Sequence, residues 1–473
     1  MRTCLALPLA LLLALCLAVP GLAEAAEPKY HNVSVHDPSI ILADDGCYYI
    51  YGSHMQAARS TDLMDWKLFS RDAESGCRLV DNVQVEMGEA LSYAKTVTFW
   101  APDVQRLADG RYYMYYCCCE GSSPLSALGL AVSDAPEGPY KNLGVFLKSG
   151  APGYDATHLP NVVDPNTFFD ADGRLWMVYG SYSGGIFILE MDPETGFPLE
   201  GQGYGKKLLG RNHARIEAPY ILYSPETGYY YLFLSFGGLN AADGYNIRVC
   251  RSEAPDGPYY DSQGNDMIDC GGADGTFFND PDYEPYGVKL LGGYGFRWLE
   301  GDTSTKKPTV YRSPGHCSAI RDEATGRYFL VFHTRFEGRG EQYQVRVHQL
   351  FMNDRGWPVA LPLRYSGEAA EPVDADLRAG LYKLILHGHD INTEPHLSVA
   401  ATLNADGTVT GDLSGSWACE DGRNVALTLD GVEYRGVMNL GYDADEKAWL
   451  PCLTALDASG CALWGVRAVS ETP

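Results

Sequence analysis

The stretch that decides the fold is Pro102-Asp-Val-Gln-Arg-Leu-Ala-Asp-Gly110, followed at once by Arg-Tyr-Tyr-Met-Tyr115. An Asp-Gly turn between two runs rich in aromatic and β-branched residues is a strong signal for a β-hairpin. The pattern occurs five times, three times with Asp-Gly and twice with Thr-Gly at the turn, and its turn glycines are Gly46, Gly110, Gly173, Gly228 and Gly326. These glycines are 64, 63, 55 and 98 residues apart, so each unit must carry strands beyond the hairpin.

Five such units predict an all-β fold with a five-bladed β-propeller over residues 29–365. A two-sheet sandwich is the alternative, but it would not need this periodicity. A second repeat, Ser133-Asp-Ala-Pro-Glu-Gly-Pro-Tyr140, recurs as Ser252-Glu-Ala-Pro-Asp-Gly-Pro-Tyr259 and predicts equivalent strand ends. Residues 373–473 lack the hairpin pattern and alternate polar with apolar side chains, which predicts a small antiparallel barrel or sandwich.

Composition narrows the function classes. The formal net charge is −25, which argues against nucleic acid or an anionic membrane surface as a partner. Apolar residues make up 45% of the chain, too many for a disordered protein. We therefore expect a folded protein, and we expect it to be a monomer.

The N-terminus predicts export. Residues 1–25 combine Arg2, an apolar run from Leu5 to Val19 and the small-x-small site Ala23-Glu-Ala25, the pattern of a signal peptide. Cys16 leaves a lipid anchor open as an alternative, although the large Leu15 precedes it. The rest of the chain has eleven cysteines and no Cys-x-x-Cys pair, which favours buried thiols over a metal or redox site. A disulfide between Cys452 and Cys461 stays open.

The register of the repeat brings together residues that are distant in sequence. Nine to eleven residues before the turn glycines, the five units carry Asp37, Trp100, Asp164, Glu217 and His316. These positions open the first strand of each blade, and the first strands of a propeller line its central channel. We therefore expect three carboxylates, an indole and an imidazole to converge at one mouth of the channel.

Such a group of acids suits glycosidic bond cleavage. One carboxylic acid protonates the leaving oxygen, one carboxylate activates water, and a third can raise the pKa of the acid. Each residue alone also has a structural interpretation, because Asp37 and Asp164 precede prolines and could cap turns. Their common register favours the functional interpretation.

Four of these segments resemble glycoside hydrolase family 43, whose members are five-bladed propellers acting on arabinan and xylan. The segments are His36-Asp-Pro-Ser39, Trp100-Ala-Pro-Asp103, Val163-Asp-Pro-Asn166 and Ile216-Glu-Ala-Pro-Tyr220. Within this family, Leu175–Phe187, Leu234–Gly238 and Phe332-His-Thr-Arg-Phe336 resemble the large extracellular endo-α-1,5-L-arabinanases, whose accessory barrel is similar to residues 373–473.

The resemblance implies residue roles. Asp37 would be the general base, Glu217 the general acid, and Asp164 the residue that tunes and positions the acid. His316 would hold a channel Ca²⁺ ion, largely through waters. The substrate-binding residues would be Asp37, Trp100, Gly121, Asn161, Val162, Val163, Asp164, Ser181, Tyr182, Ser183 and Glu217.

The resemblance therefore implies a secreted glycosidase that cuts within arabinan or arabino-oligosaccharides with inversion of configuration. Two alternatives remain open at this point. One is an exo-acting α-L-arabinofuranosidase or β-xylosidase with the same fold. The other is a sugar-binding propeller without catalysis, which would need aromatic residues but no acid–base pair.

Overall fold

The computed structural model describes residues 27–121, 124–299, 302, 307–391 and 393–469. The expected all-β architecture, a five-bladed propeller followed by a small antiparallel barrel, is confirmed. The predicted signal peptide lies outside the described residues. Within the described ranges, no helix combines the length and the apolar character that crossing a bilayer requires.

Blades one to four each have four antiparallel strands, and the sheet of blade five is larger. Blade one has β1 (Ser39–Leu42), β2 (Tyr48–Gly52), β3 (Gln56–Ser60) and β4 (Lys67–Ser70). Blade two has β5 (Trp100–Arg106), β6 (Tyr112–Cys119), β7 (Ser126–Ser133) and β8 (Lys141–Ser149). Blade three has β9 (Asn166–Phe169), β10 (Leu175–Tyr179), β11 (Ile186–Met191) and β12 (Lys206–Leu209).

Blade four has β13 (Ile216–Ser224), β14 (Tyr229–Phe236), β15 (Asn246–Ser252) and β16 (Val288–Leu291). Blade five has β17 (Tyr294–Gly295), β18 (Val310–Asp322), β19 (Arg327–Phe336), β20 (Tyr343–Met352) and β21 (Pro358–Ala360). Two short helices, α1 (Val83–Glu86) and α2 (Gly88–Ala94), connect blades one and two. Three-residue 3₁₀ segments lie at Ser53–Met55, Met267–Asp269 and Asp280–Asp282.

All five predicted hairpins form, and each joins the first and second main strands of its blade. The first strands β1, β5, β9, β13 and β18 contact one another in cyclic order and surround the channel. Blades five and one close the ring through a shared core that contains Ile40, Tyr48, Phe329 and Val345. The peptide N–H of Val345 also donates to the carbonyl of Val33 at 3.0 Å.

The C-terminal barrel is closed and eight-stranded. Helix α3 (Ala375–Arg378) precedes it, and its strands are β22 (Gly380–Leu386), β24 (Val399–Leu403), β25 (Thr408–Gly411), β26 (Gly415–Ala418), β27 (Asn424–Leu429), β28 (Val432–Asp443), β29 (Ala448–Asp457) and β30 (Ala462–Arg467). The remaining strand, β23 (His396–Leu397), leaves the barrel and pairs in parallel with β17 of blade five.

The barrel shares a hydrophobic core with the propeller. Trp464 and Cys452 of the barrel belong to the same buried cluster as Leu350 and Trp357 of blade five. Burial of apolar surface stabilises by about 25 cal/mol per Å². The shared cluster and the β17–β23 pairing therefore fix the barrel against blades four and five.

The cysteines agree with the interpretation as buried thiols. All eleven in the described residues are free, and eight of them are buried. The open alternative of a disulfide between Cys452 and Cys461 is not realised. Cys452 instead lies in β29, where it faces Val466 of β30.

A ring of hydrogen bonds joins neighbouring blades around the channel. Ser39 of blade one donates to Asp103 of blade two at 2.5 Å, and the peptide N–H of Thr167 in blade three donates to the same carboxylate at 2.7 Å. Further round the ring, the N–H of Ile221 donates to Oδ1 of Asn166 at 2.9 Å, and the N–H of His316 donates to Oγ of Ser235 at 2.7 Å. The hydroxyl of Ser318 donates to the carbonyl of Pro38 at 2.7 Å. Every adjacent pair of blades is thus linked beside the channel, with the second strand β14 providing Ser235 for the link between blades four and five.

We predict that Asp103→Ala lowers the free energy of unfolding by about 2–5 kcal/mol, because it leaves the buried hydroxyls of Ser39 and Thr167 and the N–H of Thr167 without an acceptor. Urea unfolding followed by circular dichroism measures the change. Asp109→Ala is the matched control, since Asp109 pairs with Arg111 at the exposed turn of the same hairpin. Equal losses for the two variants would contradict the role of the ring.

Candidate active site

The five residues picked out by the repeat register lie together in one pocket at the channel mouth. The pocket has a volume of about 80 Å³ and is lined by His36, Asp37, Trp100, Cys119, Gly121, Asn161, Val163, Asp164, Ser181, Glu217, Leu239 and His316. Every blade contributes to it. The pocket is therefore a product of the ring as a whole.

The local backbone explains how these side chains reach the channel. Asp37, Asp164 and His316 have φ values of 56°, 55° and 44°, in the left-handed region that non-glycine residues seldom occupy. Ala218, directly after Glu217, has φ 56°. The pairing of β13 with β14 also shifts register between Glu217 and Tyr220. Bulges and unusual φ values re-aim side chains, and they concentrate at functional sites.

Asp37 is buried among imidazoles. Its Oδ1 lies 3.1 Å from Nδ1 of His316, its Oδ2 lies 2.7 Å from Nδ1 of His36, and Ser53 donates a further hydrogen bond. Burial alone would raise the pKa of Asp37, but His316 and His36 hold this pKa well below its usual value. Asp37 is therefore a carboxylate at neutral pH.

Behind Asp37 lies a layer that sequence reasoning missed. The rings of His36 and His333 stack at 4.0 Å, and Nδ1 of His333 accepts from the peptide N–H of Asp37 at 3.1 Å. The guanidinium of Arg335 contacts Nε2 of both rings at 3.3 Å and pairs with Glu341 at 2.7 Å. This layer fixes the orientation of Asp37. His36 and His333 belong to two of the segments that resemble the family, but nothing in their sequence spacing indicates that they contact each other.

Glu217 has different partners. The hydroxyl of Ser181 donates to its Oε2 at 2.7 Å and that of Tyr245 to its Oε1 at 2.9 Å. Burial raises the pKa of Glu217 above its usual value, and these two hydrogen bonds only partly oppose the shift. Tyr245 carried no sequence signal, because nothing in the hairpin repeat refers to its position.

Asp164 completes the set of acids. Burial, together with repulsion from Glu217 and Asp37, raises the pKa of Asp164 to about 7, although His316 opposes the shift. The peptide N–H of Ala218 donates to its Oδ2 at 3.3 Å, which links Asp164 to the residue after Glu217. Conversely, the pKa of His316 rises to about 9, because attraction to Asp37 and Asp164 outweighs the effect of burial.

The residues present fit a cation at this mouth. Three buried carboxyl groups line the pocket beside one imidazole, and repulsion from Glu217 and Asp37 adds to the effect of burial in raising the pKa of Asp164. Ca²⁺ prefers oxygen ligands, so an ion beside His316 would need water for most of its coordination shell. The nitrogens and oxygens of His36, Asp37 and His333 also lie within 4.8 Å of one another, but Arg335 already contacts both of those imidazoles.

The predicted sugar-contacting residues divide into two groups. Trp100 is half-buried beside the pocket, its indole N–H donates to the carbonyl of Cys119 at 3.1 Å, and Gly121 leaves its ring accessible. Asn161, Val163 and Ser181 also line the pocket. Val162 instead packs into the core between blades two and three, and Tyr182 and Ser183 are not among the lining residues.

Family models match both parts of the chain. "Glycosyl hydrolases family 43" matches residues 31–282, and "C-terminal lipocalin-like domain" matches residues 362–465. The first match covers the segments that carry Asp37, Trp100, Asp164 and Glu217.

Among curated proteins, the chain is 54% identical over 463 residues to the extracellular endo-α-(1→5)-L-arabinanase 2 of Bacillus subtilis, covering 96% of this chain and 97% of that protein. A family 43 glycoside hydrolase structure from Bacillus licheniformis superposes with a TM-score of 0.90 at 54% identity, over 93% of this chain and 99% of that one. The endo-1,5-α-L-arabinanase structure from Thermotoga petrophila superposes with a TM-score of 0.88 at 46% identity, over 93% of this chain and 100% of that one.

The contact between Gly315 and Tyr245 gives a test of the site's packing. A Cβ at position 315 would lie 2.0 Å from the ring of Tyr245, so Gly315→Ala must displace that ring from Glu217. We expect a destabilisation of about 1–3 kcal/mol, as for other overpacked cores, and a moved Tyr245 in the crystal structure. Gly88→Ala is the control, because a Cβ there meets nothing within 4 Å. An unmoved Tyr245 in Gly315→Ala would refute this packing.

Proposed function

The chain belongs to glycosyl hydrolases family 43, and on that premise we propose that it hydrolyses internal α-1,5-L-arabinofuranosidic bonds of arabinan with inversion of configuration. The enzyme class, a glycoside hydrolase, follows from membership. The substrate is proposed because relatives that share 54% and 46% of its residues over nearly the whole chain carry the name endo-arabinanase.

The observation that carries the mechanism is that one buried pocket holds two carboxyl groups whose pKa values are shifted in opposite directions. Imidazoles hold the pKa of Asp37 low, whereas burial raises that of Glu217. A pair of carboxyl groups whose environments separate their pKa values suits one base and one acid. Asp37 would take a proton from the attacking water, and Glu217 would give its proton to the leaving oxygen.

The placement of the pair supports inversion. Asp37 opens blade one and Glu217 opens blade four, and these blades are not neighbours in a ring of five. A water can then stand between the base and the anomeric carbon, which inverting enzymes achieve with carboxyl groups roughly 6.5–9.5 Å apart. A covalent intermediate on Asp37 would instead require a separation of about 5–5.5 Å.

Asp164 would act through Glu217. It shares the buried pocket, repels Glu217 and is hydrogen-bonded to the peptide N–H of Ala218, the next residue in the chain. Repulsion between like charges favours the protonated form of the acid. Trp100 would pack its accessible ring face against a furanose unit, a contact that combines apolar burial with attraction to the π face.

We also propose that a Ca²⁺ ion binds at the channel mouth beside His316. His316 would hold it through its neutral imidazole, so binding of the ion would release the proton that the raised pKa keeps on this ring. Waters and the neighbouring carboxyl groups would complete its surroundings. Such an ion would supply positive charge against the three buried acids and help to order water. The deprotonation of water itself is assigned to Asp37.

Endo action and export complete the proposal. The two relatives are named extracellular, and the pattern of residues 1–25 is that of a signal peptide. Time-resolved digestion of linear arabinan tests the mode of action, with arabinoxylan as the second substrate. Mixed oligomers at early times support endo cleavage. Arabinose alone, or activity only on arabinoxylan, would transfer the assignment to the exo-acting or xylan-acting alternative.

We predict that Asp37→Asn and Glu217→Gln each lower kcat on linear arabinan by about 10²–10⁴-fold, the usual contribution of a general acid or base. Glu226→Gln is the control, because Glu226 lies beyond the far end of β13 and contacts Arg321 and Tyr328. NMR of the first product of the wild-type enzyme reads the anomeric configuration. A retained α configuration, or full activity of either variant, would refute the assignment of the pair.

The calcium proposal has its own test. Chelation followed by dialysis should lower kcat, and added Ca²⁺ should restore it, because the ion offsets the negative charge of the ionised acids in the pocket. His316→Ala should reduce the rate far more than the stability and should abolish the response to Ca²⁺. Activity that never changes with chelation and readdition would show that the ion has no role.

A further inference from the structure

Two neighbouring phenylalanines are exposed in the insertion between β15 and β16. The side chain of Phe277 is 65% exposed and that of Phe278 is 44% exposed. Their rings lie 4.2 Å apart and are inclined by 37°. Phe278 has φ 55°, an unusual backbone conformation for a bulky residue. Exposed aromatic surface on a strained backbone segment is typical of a binding site.

The two rings are connected to the proposed acid through two consecutive residues, Ser181 and Tyr182, of which Ser181 lines the pocket and Tyr182 lies just outside its lining. Ser181 donates to Glu217, and the next residue, Tyr182, packs edge-on against Phe278 with ring centroids 5.4 Å apart. Phe277 then packs against His213 at 4.8 Å. Phe277 and Phe278, which we call the aromatic platform, are thus continuous with the Glu217 side of the pocket.

The segment that carries the platform is firmly anchored. Arg215, two residues before Glu217, forms an ion pair with both carboxylate oxygens of Asp280, one of them at 3.0 Å. The side-chain amide of Asn212 donates to the carbonyl of Gly272 at 2.9 Å, and the N–H of Ala273 donates to Asp282 at 2.9 Å. The platform is therefore held by the same chain segment that leads into Glu217, and little order has to be gained on binding.

We propose that the aromatic platform is an outlying subsite that binds an arabinofuranosyl unit of the polymer beyond those held in the pocket. This inference rests on the proposed function. Its occupant follows from continuity with the pocket: a chain lying across Glu217 and Tyr182 reaches Phe278 and Phe277 next. Aromatic faces bind the C–H faces of sugar rings, and the clustered rings offer a broad apolar surface for them.

The double variant Phe277→Ala/Phe278→Ala tests the platform. On linear arabinan, we expect kcat/KM to fall by about tenfold through a higher KM, because binding that is equal in ground and transition states leaves kcat unchanged. On arabinotriose, which is too short to occupy both the pocket and an outlying subsite, kcat/KM should stay the same. The early products from arabinan should also change in size distribution.

Two controls make the outcome decisive. Phe277→Tyr/Phe278→Tyr keeps the rings and should keep the wild-type KM for the polymer. Tyr260→Ala removes another exposed aromatic ring, which is 40% exposed and lies next to Arg251 at the far end of blade four, and should leave both substrates unaffected. Equal losses on polymer and trisaccharide, or no loss on either, would overturn the platform. A wild-type enzyme inactive on all arabinans would instead overturn the proposed function.

Discussion

Hydrogen bonds that join neighbouring blades around the channel are the constraint on which the site depends. Each blade is an ordinary antiparallel sheet, and none of them holds more than a fraction of the pocket. The carboxylate of Asp103 links blades one, two and three, and the serine and asparagine contacts around the rest of the channel join the others. Because these links lie close to the pocket residues, they determine how far apart the functional side chains stand.

The chemical difference between the two proposed working carboxyl groups comes from the kind of partner that each one has. Both are buried, which favours the neutral acid in each case. Asp37 faces two imidazoles and the layer of His333 and Arg335, so its ionised form is favoured. Glu217 receives hydroxyl donors, which carry no net charge and reverse the effect of burial only in part. One pocket can therefore hold a base and an acid at the same pH.

Much of this could be predicted from the sequence, because the informative features are periodic. The five turn glycines determine five hairpins, and counting back from them identifies Asp37, Trp100, Asp164, Glu217 and His316. Single long-range contacts have no period, so Tyr245, Arg335 and the aromatic platform could not be found in this way. The platform lies in the long insertion between β15 and β16, where no repeat provides a register. The pairing of β23 with blade five could not be predicted either, since a strand of two residues carries no sequence pattern.

The shared core between the propeller and the barrel bears on how this architecture can be rearranged. Trp464 is fully buried in a cluster that includes residues of blade five, and β23 is hydrogen-bonded into the same blade. Removing the barrel would uncover an apolar face of the propeller, so the two parts should melt in one cooperative transition. The barrel alone is therefore unsuited to exchange between proteins. A chimaera that takes the barrel from another protein would have to take blade five from that protein as well.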